Sequence, residues 1–335
     1  MGGTSFNHDD YAARETYRKS TGTSAFVHDD AIRAGRVAAG VDAKMNPFGV
    51  KLRESRDSAE HPITIPIAVS MDLTGSMSTV PRIFQKALPN LMTQFLAAKA
   101  SGKEYLGGGY PAVMIAGHDD YPAMRGVQGT VQVDQFESGI EIDDALGRIW
   151  FTGNGGGGEP RESYELMLYF MARHTAHDHY DKRGKKGYIF LFGDEKPYGM
   201  VRQAEVKTLF GDDIEADIPV ADIVRECEER YHVFYVQPKM TSHWQEEKIL
   251  NVWRELINPE QVLLLEDPSK ICELIVATVT LLEGQADLDD LRADNVATGL
   301  DLALVPLSKR TGEVSKYDAG TLPTVTTTSG GTDRI

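Results

Sequence analysis

Residues 63–71, ITIPIAVSM, are almost continuously apolar and rich in β-branched side chains. That is the pattern of a strand buried on both faces of a parallel sheet. Residues 112–117 and 188–192 repeat it, and residues 233–236 and 261–265 give two shorter runs. Between these runs the apolar positions switch to steps of three and four. Val80, Ile83, Phe84, Ala87, Leu88, Leu91, Met92, Phe95 and Leu96 form one wide helical stripe. Pro81 suits its first turn, whereas Pro89 falls inside and should kink or split the helix. Further helices are expected over 140–149, from Glu162 to about Tyr180, from Asp217 and Pro219 through Cys227, over 243–256 and over 268–282. Residues 130–136 alternate with a period of two, as an edge or hairpin strand does. The alternation predicts an α/β fold, a doubly wound, mostly parallel six-stranded sheet with helices on both faces.

The rest of the chain is organised around residues 62–284. Residues 1–61 read as an extension with a short repeat, Phe6-Asn7-His8-Asp9-Asp10 and Phe26-Val27-His28-Asp29-Asp30. A buried Phe, an Asp cap and a short helix account for both copies without any chemistry. Residues 46–49 make a turn, and residues 53–61 read as a charged linker. Beyond Gly284 the chain turns acidic and then rich in Thr, Gly and Ser. Residues 300–307 could dock as a short segment, but the tail to residue 335 reads as largely disordered.

Composition narrows the classes of partner. Fifty acidic against 35 basic residues give a formal charge of −15, which argues against a nucleic-acid backbone as partner. Cys227 and Cys272 are the only cysteines, too few for a disulfide framework or a zinc knuckle. No apolar leader and no stretch of membrane-spanning length is evident, so the expectation is a soluble, cytoplasmic protein with no membrane partner.

The candidate chemistry sits where buried strands end. Asp72 closes the first strand, and Thr74 and Ser76 follow at alternate positions, a set of hard oxygen donors suited to Mg²⁺ or Mn²⁺. Residues 188–192 run into Gly193 and a second acid, Asp194. Between the two lies Phe151-Thr152-Gly153-Asn154, four glycines at 155–158 and Glu159-Pro160-Arg161-Glu162. His118-Asp119-Asp120 ends another strand, where an Asx turn before Pro122 is an adequate reason for the acids. His174, His177, Asp178 and His179 fall in the last expected turn of a helix, a position its dipole favours without a metal.

The D-x-T-x-S spacing at a strand-to-helix turn resembles the metal-ion-dependent adhesion site (MIDAS) of von Willebrand factor A (vWA) domains. The glycine run and the Asp after a central strand resemble that family's second and third motifs, in the form found in intracellular bacterial vWA domains and those attached to alpha-kinases. Two departures stand out. Gly158 occupies the loop position where relatives carry Asp or Thr, leaving Glu159 as the nearest oxygen donor, and Gly193 replaces a usual Thr. The resemblance implies a metal held by Asp72, Thr74, Ser76 and Asp194, with Glu159 as a further candidate, and a partner protein whose Asp or Glu completes the shell. It further implies an adaptor rather than an enzyme, in a multiprotein system such as those built on an AAA+ ATPase. Two other functions compete. A Mg²⁺-dependent phosphohydrolase would need a second Asp where Thr74 stands, and an RNA-binding vWA protein would need a more basic surface.

Overall fold

In the computed structural model, residues 5–33, 40–75, 77–96, 102–124, 129–151 and 160–317 are described. Six strands form the central sheet: β1 (Thr64–Asp72), β2 (Tyr110–His118), β3 (Val131–Glu137), β4 (Gly187–Phe192), β5 (Tyr231–Pro238) and β6 (Val262–Leu265). They lie in the order 6-5-4-1-2-3, and every neighbouring pair is parallel except β2 with β3. The alternating stretch is thus the antiparallel edge. The two strands that end in the candidate acids are adjacent, with Met71 paired to Phe192. The chain leaves β1 and β4 toward opposite halves of the sheet. The crevice between them, at the carboxyl ends, is where such sheets form ligand sites.

Eight helices carry most of the remaining packing: α1 (His8–Thr21), α2 (Thr79–Leu96), α3 (Glu141–Gly147), α4 (Tyr164–Arg173), α5 (Val220–Glu228), α6 (Glu247–Leu256), α7 (Ile271–Leu282) and α8 (Asp301–Tyr317). Alternate residues of β1 supply two separate cores. Ile65, Ile67, Val69 and Met71 face α2, α3 and α7, while Ala68 faces the opposite core of α4, α5 and α6. All nine residues of β1 are buried, the physical content of its unbroken apolar run.

Pro89 does not split α2, and the N-terminal extension shows why. A proline at 89 has no N–H to donate to the carbonyl of Gln85, four residues back. The Tyr11 hydroxyl of α1 donates to that carbonyl at 2.8 Å, and the Gln85 side-chain amide returns a bond to Tyr11 at 2.9 Å. Arg18 then pairs with the fully buried Asp143 side chain at 2.6 Å, and Arg14 pairs with Asp143 and Asp144. The extension is therefore docked on the fold. Tyr11→Phe is expected to cost roughly 1–3 kcal/mol, because it leaves a buried carbonyl without a donor. Urea denaturation of the two proteins measures it.

Several boundaries differ from the sequence expectation. The helix expected to reach about Tyr180 stops at Arg173; Thr175–His177 instead pairs in parallel with Arg53–Ser55, and a short helix, Asp178–Asp181, follows. The charged linker thus contributes a strand. The basic stretch at 182–186 is tied down by ion pairs: Arg183 pairs with Asp57 at 2.8 Å and Lys185 with Glu283 at 2.7 Å. In the first repeat the cap is Asn7, whose side chain accepts from the Asp9 N–H, and both Asp9 and Asp10 lie in the first turn. The region after Gly284 carries a helix at Leu288–Ala293 and then α8, which bury Leu291, Leu300, Leu304 and Leu307. Order therefore extends well past the expected boundary. Residues 318–335 lie outside the described residues.

Candidate functional site

Asp72 is the last residue of β1, and Asp194 follows β4 after one glycine. Both are almost fully buried, at 0% and 2% exposed. Asp72 Oδ1 accepts two bonds, from the Thr74 N–H at 2.8 Å and the Thr74 hydroxyl at 2.7 Å. That closes a tight turn and fixes the carboxylate plane. Its other oxygen, Oδ2, is buried and has no hydrogen-bond partner among the described residues. Asp194 Oδ2 accepts from the His243 backbone N–H at 3.3 Å. Asp72, Thr74 and Asp194 thus meet at one end of adjacent central strands. Ser76, Glu159, Thr152 and the glycines 155–158 lie outside the described residues.

Gly193 has a local cause. A Cβ at this position would stand 1.9 Å from Tyr164 Oη and 2.8 Å from its Cζ. Tyr164, at the start of α4, is fully buried and packs edge-on against Trp253 and 4.4 Å from the His118 ring centroid. Its hydroxyl accepts from the Glu195 N–H at 3.4 Å, and Trp253 donates to the Glu195 carbonyl at 3.0 Å. An aromatic cluster therefore takes the space that a Thr side chain would need, and it holds the turn bearing Asp194 from below.

The structure adds acids that the motifs do not include. Glu162 lies in a two-residue strand, Arg161–Glu162, paired in parallel with Lys196–Pro197 just beyond Asp194. It is 1% exposed, and its Oε2 has no partner. Asp119, past the end of β2, is fully buried and accepts from the Asp120 N–H at 2.7 Å, while Tyr198 donates to Asp120 at 2.8 Å. Glu195 also has a buried oxygen without a partner. The proximity of Asp119 and Asp120 to a strand end was visible in the sequence. Glu162 was legible only as the start of a helix, and Glu195 only as a neighbour of Asp194.

Burial and mutual repulsion hold these groups toward their neutral forms. Desolvation raises Asp72 well above the usual carboxylate range, against its bonds from Thr74, and the charges of Asp194 and Asp119 add to the rise. Desolvation likewise raises Asp194. Glu162 is raised well above its usual range by burial and then by Asp72 and Glu195, and Glu195 is pushed up to about 7 by burial and Asp194. Burial holds His118 down to about 3, so its ring is neutral, with Nδ1 on Ser70 at 2.9 Å.

An acid raised in the folded state binds its proton more tightly there than in the unfolded chain, so stability falls as pH rises toward the folded value. The buried histidines act in the opposite sense: His118 and His177, held down to about 3 and about 4, are neutral in the folded protein, and above pH ~6.5 the unfolded chain sheds only the remaining half of each proton. Between pH ~6.5 and ~8 the raised acids, Asp72, Glu162 and Glu195, outweigh them. In EDTA the urea midpoint is expected to be lower at pH 8 than at pH 6.5, with Mg²⁺ narrowing the gap. A higher midpoint at pH 8 would contradict the electrostatics.

Asp72, Thr74 and Asp194 offer the oxygen donors that could hold a hard divalent cation, and among the described residues one carboxylate oxygen is buried without a partner. Among the described residues, no three His, Cys, Asp or Glu side chains are placed to hold an ion between them. A shell of two carboxylates completed by hydroxyls does not call for three. The histidine group is not a second centre. His174 bonds Val50 O at 2.8 Å and Asp212 at 2.7 Å, His177 caps the Tyr180 N–H at 3.1 Å, and His179 meets Glu283 at 3.1 Å.

No family model matches the chain. No curated protein matches it either. Solved structures similar to it include proximal thread matrix protein 1 from the mussel byssus, with 11% identity, a TM-score of 0.39, and coverage of 64% of this chain and 48% of that one. The pilus adhesin SpaC of Lactobacillus rhamnosus GG shows 12% identity and a TM-score of 0.41 over 72% of this chain and 32% of its own. A von Willebrand factor type A protein from Catenulispora acidiphila shows 14% identity and a TM-score of 0.35 over 67% and 44%. The chain spans half or less of each of these structures. No helix among the described residues is long and apolar enough to cross a membrane, and both cysteines are free and buried.

Proposed function

We propose that this protein is a cation-dependent protein-interaction module of the vWA type, in which Asp72, Thr74 and Asp194, with Ser76, hold one Mg²⁺ or Mn²⁺. The observation that carries the reading is Asp72 Oδ2, a buried carboxylate oxygen at the switch point of the sheet with no partner among the described residues. Leaving such a group unpaired is costly, and a bound cation removes that cost. Two carboxylates and two hydroxyls leave coordination positions open, and an Asp or Glu side chain of a partner protein completes the shell. The cation supplies a fixed positive charge for that acid. The chain's own part is to hold the carboxylates in place: Thr74 locks one, and the His243 N–H and the Tyr164–Trp253 cluster seat the turn of the other. An adaptor role in a multiprotein system, including one built on an AAA+ ATPase, follows from the same reading.

Affinity capture of partners from the native host, with Mg²⁺ or with EDTA, tests it against Asp72→Asn. Capture should need both the cation and Asp72. Equal capture in EDTA would place the interaction surface elsewhere on the molecule.

A further inference from the structure

We infer that Glu162 is a specificity-determining residue of the cation site: it strengthens cation binding and opposes any free carboxylate as the completing ligand. The inference rests on the proposed function and concerns which ligand that site admits.

Three observations place Glu162 there. The pairing of Arg161–Glu162 with Lys196–Pro197 ties it to the segment that immediately follows Asp194 and Glu195. The next residue, Ser163, donates its N–H to the Asp119 carbonyl at 3.4 Å, which ties it to the end of β2 as well. The side chain, 1% exposed, faces the charges of Asp72, Glu195, Asp119 and Asp120, and among the described residues Oε2 has no hydrogen-bond partner. Other buried oxygens of the chain, such as those of Glu165 and Glu273, are also unpartnered, and what sets Glu162 apart is its tie to the strand ends that carry Asp119 and Asp194. Since no three acids enclose an ion among the described residues, the fitting role is one step out. With a cation bound, Glu162 would be placed to accept a hydrogen bond from water on the ion rather than to ligate it.

The charge balance then sets the specificity. Asp72 and Asp194 alone would neutralise a divalent cation. Once a bound cation displaces the proton that burial holds on Glu162, that carboxylate adds negative charge beyond the two that balance the ion. A small free carboxylate meets repulsion at the open position, whereas a partner's acid arrives with a whole interface behind it. The site thus excludes free organic acids while remaining open to a protein ligand.

Calorimetry with Mn²⁺, followed by acetate titration monitored through water-proton relaxation of the bound Mn²⁺, tests this in wild type and Glu162→Gln. The variant should bind Mn²⁺ about 10- to 100-fold more weakly, the usual effect of losing a residue that orients the ligands of a metal. It should also bind acetate several-fold more tightly once loaded. A purely structural residue would not move the two affinities in opposite directions. Unchanged values for both in a folded variant would overturn the inference. If the variant does not fold, the wild type decides: acetate should bind its Mn²⁺ no better than it binds aqueous Mn²⁺, and tighter binding would overturn the inference. A wild type that binds no Mn²⁺ at all would overturn the cation site itself, and this inference with it.

Discussion

Asp72→Asn is expected to abolish cation binding and, in EDTA at neutral pH, to make the protein more stable than wild type. Asparagine keeps an acceptor for the Thr74 N–H and hydroxyl, so the turn that closes on Oδ1 survives. What it removes is a carboxyl whose ionised form burial, Asp194 and Asp119 all oppose, so that folding at neutral pH must take up a proton. The gain should be about 1–3 kcal/mol, on the scale of the proton uptake that folding no longer requires. In wild type a saturating cation should reverse the ranking, since a ligand at 100 times its dissociation constant stabilises by about 2.7 kcal/mol. The crossing of the two proteins between EDTA and Mg²⁺ is what denaturation curves should show. A variant less stable than wild type in both buffers would mean that Asp72 is a structural acid.

Gly193→Ala should be the most destabilising single change near the site. The added carbon would lie 1.9 Å from Tyr164 Oη, and neither partner has room to move. Tyr164 is packed between His118, Tyr235 and Trp253, and Gly193 follows the central strand β4 directly. Overpacking of a rigid core costs about 1–3 kcal/mol and sometimes more, and this contact belongs at the upper end. In a double-mutant cycle with Tyr164→Leu the two changes should be strongly non-additive, because the second removes the ring that the first collides with. Additive losses would show that the glycine is required by backbone conformation instead. A Thr at this position should fail for the same reason as Ala.

Which parts of this arrangement were legible in the sequence follows from the range of the interactions involved. β1 and β4 declare themselves because strands buried on both faces must be apolar at every position. Asp72 and Thr74 are legible because the turn they form is local, a carboxylate bonded two residues on. The end of α4 was not. The stretch around Ala172 and His174 continues a helical pattern, and only the distant pairing of Thr175–His177 with Arg53–Ser55 diverts the chain. The docking of α1 is hidden for a similar reason. It rests on Tyr11 supplying the bond that Pro89 cannot, and on arginines reaching the buried Asp143, contacts between residues at least seventy positions apart. Glu162 was missed because its relevance comes from a two-residue pairing with Lys196–Pro197, which leaves no periodic trace. That a glycine precedes Asp194 was visible, but its cause, the Tyr164 hydroxyl, lies on another element.

The cation itself is the centre of the account, and titration calorimetry of the metal-stripped protein with Mg²⁺ and Mn²⁺ tests it most directly. One site per chain is expected, with affinity rising as pH rises, because the ion must displace protons held by raised carboxyls. Binding should vanish in Asp72→Asn. No saturable binding by wild type, or equal binding by the two proteins, would contradict it.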